Sequence, residues 1–334
     1  MSDKGIKMKQ TTSGRSLSSA GLWIKQQSKS ATFGVALILL GLSLILSIST
    51  DKFLSPSNLF SVMRAFSYIA IIAIGEAMII ISGGVDLSVG SVYGFGGLLG
   101  AIAMSRLGLP IPVAILMGLA VGATVGLLNA IFITKIGMPP FIVTLGMLSV
   151  VRGLSYAVTS GYPVRTPATF NSLGQGYVGP IPLPVIYLVV LAVIFSFFLK
   201  KTVVGRRIYA IGGNEEASAI SGIRVDRVKT TVYVLAGALA AFSGLTATAR
   251  LGVAQSTAGI GYELDVVAAV IIGGASLSGG KGTILGAILG AAIMGVLRNG
   301  LVLLNVSAYW QQTVIGLVII LAIAADQLRQ RGNA

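Results

Sequence analysis

The sequence predicts an all-α polytopic membrane protein of about ten transmembrane helices, with both termini cytoplasmic. Three observations carry that expectation. Only 10% of the 334 residues are charged and 54% are hydrophobic, with a mean hydropathy of +0.90; soluble domains carry about 25% charged residues. The apolar residues gather in runs long enough to cross a bilayer, which takes about 20 residues per helix. The basic residues then sort to one side of those runs.

Residues 1–32 are polar and hold six Lys/Arg with one apolar cluster, Leu22-Trp23-Ile24. They form an expected cytoplasmic tail, with Trp23 at the membrane interface or the whole segment disordered. The run 33–49 is longer than a signal-peptide core and no small-residue cleavage site follows it, so it is expected to stay as the first span. The second span covers 65–83. A Gly-rich stretch, Gly83–Gly90, leads into a third that ends near 104. The fourth runs from Pro112 to 134 and the fifth covers 141–159. A Gly- and Pro-rich polar loop, 160–182, precedes the sixth, 183–199. After the polar loop 200–229 come spans at 231–248, 265–280, 283–304 and 309–325. The membrane domain is therefore expected over 33–327, with 328–334 as a cytoplasmic tail.

Charge tests this layout. With the N-terminus inside, 17 Lys/Arg fall on the cytoplasmic side and five outside, namely Lys52, Arg64, Arg106, Arg165 and Arg250. The formal charge of +14 therefore reads as positive-inside topology against a lipid bilayer, and no nucleic acid partner is expected. The chain has no Cys and no His. That excludes disulfides, thiol nucleophiles and imidazole acid–base chemistry, and no metal site is expected. Gly279-Gly280-Lys281 is no phosphate loop: Ala275 stands where the first Gly belongs, and Gly282 replaces the required hydroxyl.

The most highly charged interruption is Gly212–Lys229. Asn214 is a good N-cap, and Glu215 and Glu216 oppose the positive end of a helix dipole. Gly222 suits a left-handed helix end with Ile223 folding back as its apolar partner. Ala217, Ser218, Ala219 and Ser221 allow close approach of a partner, with Ile220 as an anchor. Two turns of helix are not stable alone in water. The segment is therefore either a helix that docks into another protein or an ordinary capped loop helix.

Ionisable and polar groups within spans are functional candidates by default. Asp86 lies in the Gly-rich break, where it lines a cavity or caps the helix beginning near Ser88. Glu76 is placed to pair with Arg152 across neighbouring helices. Asn129, Arg298 and Asn299 either touch a hydroxylated solute or join helices. The pathway candidates are thus Asp86, Ser88, Asn129, Arg152 and Asn299. Glu263 and Asp265 are expected as exposed charges at an outer mouth, meeting a soluble protein or capping the eighth span. Gly83-Gly84-x-x-Leu87-Ser88-x-Gly90 echoes Gly273-Gly274-x-x-Leu277-Ser278-x-Gly280. Broken helices at matching places in two halves are where transporters often bind substrate; two similar packing seams are the other reading.

Glu216-Ala217-Ser218, with Gly222 four positions later, resembles the Glu-Ala-Ala-x-x-x-Gly loop of ABC-importer permeases. Ser218 replaces the second Ala. The string Ala210–Glu215 continuing to Ser221-Gly222-Ile223 resembles the ribose-type monosaccharide version, as do Gly84–Gly90 and Gly261–Asp265. The resemblance implies a multi-pass permease of the bacterial inner membrane, a transport subunit rather than an enzyme, with no cofactor of its own. It implies that Gly213, Asn214, Glu215, Glu216, Ala217, Ser218, Ile220 and Gly222 form a coupling helix docked on a separate ATPase subunit that binds ATP. It further implies a second permease subunit, as a homodimer, and a periplasmic or lipid-anchored sugar-binding protein. A pentose such as ribose is the implied cargo. The rival expectation is an ion-coupled secondary transporter of a small polar solute, using Glu76 or Asp86.

Overall fold

The computed structural model describes residues 31–331. The expected tail 1–32 falls almost wholly outside them, as do residues 332–334. Helix α1 covers Ala31–Ser49, α2 Pro56–Ile81, α3 Val89–Ser105, α4 Ile111–Thr134 and α5 Pro140–Ala157. The loop expected over 160–182 contains strand β1 (Val164–Arg165), helix α6 (Ala168–Gln175) and a hairpin of β2 (Tyr177–Val178) and β3 (Ile181–Pro182). Helix α7 is Leu183–Lys201. The loop 200–229 folds into two helices, α8 (Val203–Gly213) and α9 (Glu215–Ile220). The chain continues with α10 (Val225–Leu251), β4 (Val253–Ala254), α11 (Tyr262–Ile272), α12 (Ile284–Leu303) and α13 (Ala308–Arg331).

Among the described residues, seven helices are long and apolar enough to cross a membrane: α1, α2, α4, α5, α7, α10 and α12. The chain is a helical, multi-pass membrane protein. Proline at the first or second position opens α2, α4, α5 and α7, where its missing N–H costs nothing. This also explains why α2 begins nine residues before the apolar run suggests.

Helix α10 is the hub, packed against α2, α3 and α4. Small residues make that packing possible, as is general where lipid supplies no hydrophobic drive between helices. Gly237 of α10 lies against the backbone of Gly122 in α4, and Gly75 of α2 against Ala236 of α10. The half of α2 from Ala70 to Ile81 is buried. The outer faces of α4, α5 and α7 expose Leu116, Leu145, Val193 and Phe197, a surface for lipid. Strand β1 pairs antiparallel with β4, Val164 opposite Ala254, which ties the 160s loop to the end of α10.

Two expectations change. The stretch 265–280 is not one continuous span: α11 has 11 residues and stops at Ile272. Its end is a left-handed turn in which Gly274 (φ 90°) donates to Ile271 O at 2.8 Å and Ala275 to Val270 O at 3.2 Å. Helix α13 runs on through residues 328–331, so the short polar tail is helical that far.

The end of α2 has the same form. Gly83 (φ 82°) donates to Ile80 O and Gly84 to Ile79 O, both at 3.0 Å. The two breaks therefore share one geometry, with Gly83 matching Gly274 rather than Gly273. Downstream the echo holds as read: Asp86 Oδ1 accepts from Ser88 N at 2.7 Å, and Ser276 Oγ from Ser278 N at 3.3 Å.

Candidate functional site: a capped loop helix and a buried polar cluster

Helix α9 is built by local chemistry. The Asn214 side chain accepts from Ala217 N at 2.8 Å, the expected N-cap. Gly222 takes φ 82°, donating to Ala219 O, while Ile223 donates to Ser218 O, both at 3.0 Å. This double-bonded left-handed ending satisfies carbonyls that the last turn leaves open. Glu215 pairs with Lys229 at 2.6 Å, tying α9 to the first turns of α10. Lys135 pairs with Asp226 at 2.8 Å and brings the end of α4 to the same place. Ser218 is buried. Glu216, Ala217 and Ile220 point outward, Ile220 with 82% of its surface exposed. An isoleucine is thus held uncovered on a charged, capped helix.

Helix α8 connects α9 to the membrane helices. Thr202 caps it by accepting from Gly205 N at 3.0 Å. At its far end Gly212 packs against Ile81 O and Gly280 N, and Gly280 N donates to Ile81 O at 2.9 Å. Tyr209 adds a bond from its hydroxyl to Gly282 O at 2.8 Å. Both Gly-rich breaks therefore meet the end of α8.

Above that junction lies a buried polar cluster. Asp86 Oδ1 accepts from the Ser88 hydroxyl at 2.5 Å as well as from its amide. The Asn129 amide nitrogen reaches Ser88 Oγ at 3.0 Å and Asp86 Oδ2 at 3.3 Å. Glu76 Oε1 accepts from Asp86 N at 3.0 Å. All four side chains are sealed from solvent in the single chain. Glu76 Oε2 and Asn129 Oδ1 have no hydrogen-bond partner. Asp86 therefore both caps the entry to α3 and joins three helices.

The other candidates lie elsewhere. Glu76 does not pair with Arg152. Arg152 Nη1 instead donates to the carbonyls of Ser256 at 2.8 Å and Ala258 at 2.7 Å, clamping the loop between β4 and α11. Asn299 exchanges side-chain amide bonds with Asn58 at 2.7 and 3.0 Å, fastening α12 to the start of α2. Asp265 is not the exposed charge expected: it is 2% exposed and paired with Arg298 at 2.5 Å, which offsets part of the cost of burying the carboxylate. Glu263 is half-buried and accepts from Gly261 N at 3.2 Å, bracing the turn before α11.

Residues 58–323, from the first turn of α2 into α13, match the family described as branched-chain amino acid transport system / permease component. The chain belongs to this permease family. It is 45% identical to the ribose import permease protein RbsC of Bacillus subtilis over 289 residues, covering 86% of this chain and 89% of that one. It is 41% identical to RbsC of Escherichia coli K12 over 328 residues, 96% and 99% of the two chains. The galactose/methyl galactoside import permease protein MglC of Haemophilus influenzae is 35% identical over 320 residues, 90% and 94%. All three are named as import permeases, which are transport components rather than enzymes.

Within this permease, sequence reasoning missed the role of Gly212 and the Asp265–Arg298 pair. A signal for the first was present: Gly212-Gly213 and Gly279-Gly280 are matching doublets in otherwise separate turns. The second carried none, since 33 residues separate the partners.

Proposed function

We propose that this permease is the membrane subunit of an ABC importer that carries a monosaccharide, ribose in the first instance, across the bacterial inner membrane. The observation that carries this reading is the 41% identity to a ribose import permease along 96% of the chain. Separate subunits bind and hydrolyse ATP, and an external binding protein delivers the sugar. Two copies of the chain form the pathway. Helices α1–α5, α7, α10, α12 and α13, with a broken crossing made of the short α11 and the turn after it, supply ten crossings with both termini inside, and the charge bias supports that orientation.

Helix α9, with Gly213, Asn214, Glu215, Glu216, Ala217, Ser218, Ile220 and Gly222 in or beside it, docks on the ATPase. Its exposed Ile220 and its ion pair to α10 support that role. Movement of the ATPase then passes through the rigid α9–α8 unit to Gly212. There it reaches the end of α2 and the turn after α11, and so the Asp86–Ser88–Asn129 cluster. No step of bond making falls to this chain: its residues transmit motion and open or close a polar route.

The test is uptake of labelled ribose by vesicles containing the permease with an importer's ATPase and binding protein. Uptake that needs ATP hydrolysis and ignores an ionophore supports the importer. Uptake that collapses with the ionophore and needs no ATP supports an ion-coupled transporter using the Glu76–Asp86 pair.

A further inference from the structure

A second polar cluster shares α2 and α3 with the first. Tyr68 comes from α2, Tyr93 from α3, Arg250 from α10, Tyr262 and Asp265 from α11, and Arg298 from α12. Tyr68 precedes Glu76 by eight residues, so it sits about 12 Å along the helix axis from the Asp86 cluster. The Tyr93 and Tyr262 rings meet with centroids 5.1 Å apart. The Arg250 guanidinium lies 6.0 Å from the Tyr68 ring centre. The three phenols are within electrostatic range of one another and of Arg250, and Tyr262 is also within range of Asp265 and Arg298.

Two atoms here lack what burial demands. The Tyr68 hydroxyl has only the Arg250 guanidinium beside it and no well-formed hydrogen bond, and Arg298 Nε is buried without a partner. Buried polar atoms are almost always bonded, and an orphan calls for an occupant that brings the missing partner. Arg298 itself is 39% exposed, so the cluster opens on one side. The combination of aromatic faces, a carboxylate–guanidinium pair and a free phenol selects a particular ligand chemistry. A neutral sugar offers a C–H face for rings and hydroxyls that both donate and accept.

We propose that Tyr68, Tyr93, Tyr262, Arg250 and the Asp265–Arg298 pair form a transient station for a monosaccharide inside the permease. The station rests on the sugar-import reading and adds residues to it. Sugar arriving from the binding protein stacks on the tyrosines and takes up the Tyr68 hydroxyl and the Arg298 Nε–H before passing towards Asp86.

The experiment is ribose uptake by vesicles with ATPase and binding protein, each rate divided by the amount of permease in the membrane. Tyr68→Phe removes only the hydroxyl, so the ring's packing and its contact with Arg250 are kept. The expected result is a fall of about tenfold in maximal rate, the value of one lost hydrogen bond. The half-saturating ribose concentration, set by the binding protein, stays unchanged. Tyr93→Leu should act in the same direction. Ribose uptake that neither variant alters overturns the station and leaves the importer standing. No ribose uptake by the unaltered permease overturns the sugar-import reading, and the station with it.

Discussion

The amide of Gly280 donates to the carbonyl of Ile81 at 2.9 Å, and Gly212 packs against both partners. Three segments far apart in the chain thereby share one backbone contact with no room for a side chain. It joins the loop that carries α9 to the two Gly-rich helix breaks.

Gly212→Ala should destabilise the permease by about 1–3 kcal/mol, the usual cost of forcing extra atoms into packed backbone. Gly213→Ala, whose added Cβ meets nothing within 4 Å, should be silent. Thermal unfolding of the two purified variants in one detergent makes the comparison. Equal melting temperatures would show that the junction is not tight.

Gly222→Val tests the ending of α9. No neighbour lies within 4 Å of an added Cβ, so the penalty is purely the left-handed backbone, about 1–2 kcal/mol. The variant should insert at the normal level and lose most ATP-dependent ribose uptake. Gly222→Asn, which tolerates that conformation, should keep it. Normal uptake by Gly222→Val would remove the coupling role from this turn.

Asp86→Ala leaves the Ser88 amide and hydroxyl without their buried acceptor, and the Asn129 amide nitrogen with Ser88 Oγ alone. A loss of about 1–3 kcal/mol follows from the unsatisfied donors, together with reduced ribose flux. Melting temperature and uptake measured on the same preparation should both fall. A variant with full stability and full flux would take Asp86 out of both the cap and the pathway.

Asn58 and Asn299 form a reciprocal amide pair, so their effects should not add. In a double-mutant cycle with alanine, the coupling is expected at about 0.5–1 kcal/mol, as for other hydrogen bonds between membrane helices. Ribose uptake per folded molecule should hold. Zero coupling would show that the pair does not fasten α12 to α2.

Much of this was legible because it is local. Asn214, Gly222 and Ile223 lie within ten residues and act on the same short helix, so cap rules found both of its ends. Asp86 and Ser88 are two residues apart, and the capping geometry was foreseeable. Asn129 was recognised as polar within a span, yet its meeting with Asp86 depends on how α4 crosses the break. The exchange of partners among Glu76, Arg152, Asp265 and Arg298 was not legible. Charge complementarity allows several pairings, and only the packing of α11 between α2 and α12 selects one. Helix α11 itself was overread, because Gly273–Gly280 is apolar enough to extend a hydrophobic run while its backbone turns away.

The central claim is that α9 is the handle by which a separate ATPase moves this permease. A photo-activatable cross-linker at Ile220→Cys, in membranes containing the whole importer, tests it directly. Capture of the ATPase subunit, lost when the probe is moved to Val193→Cys on the lipid face of α7, is the result this account requires. A probe at residue 220 that never captures the ATPase while the same membranes import ribose would contradict it.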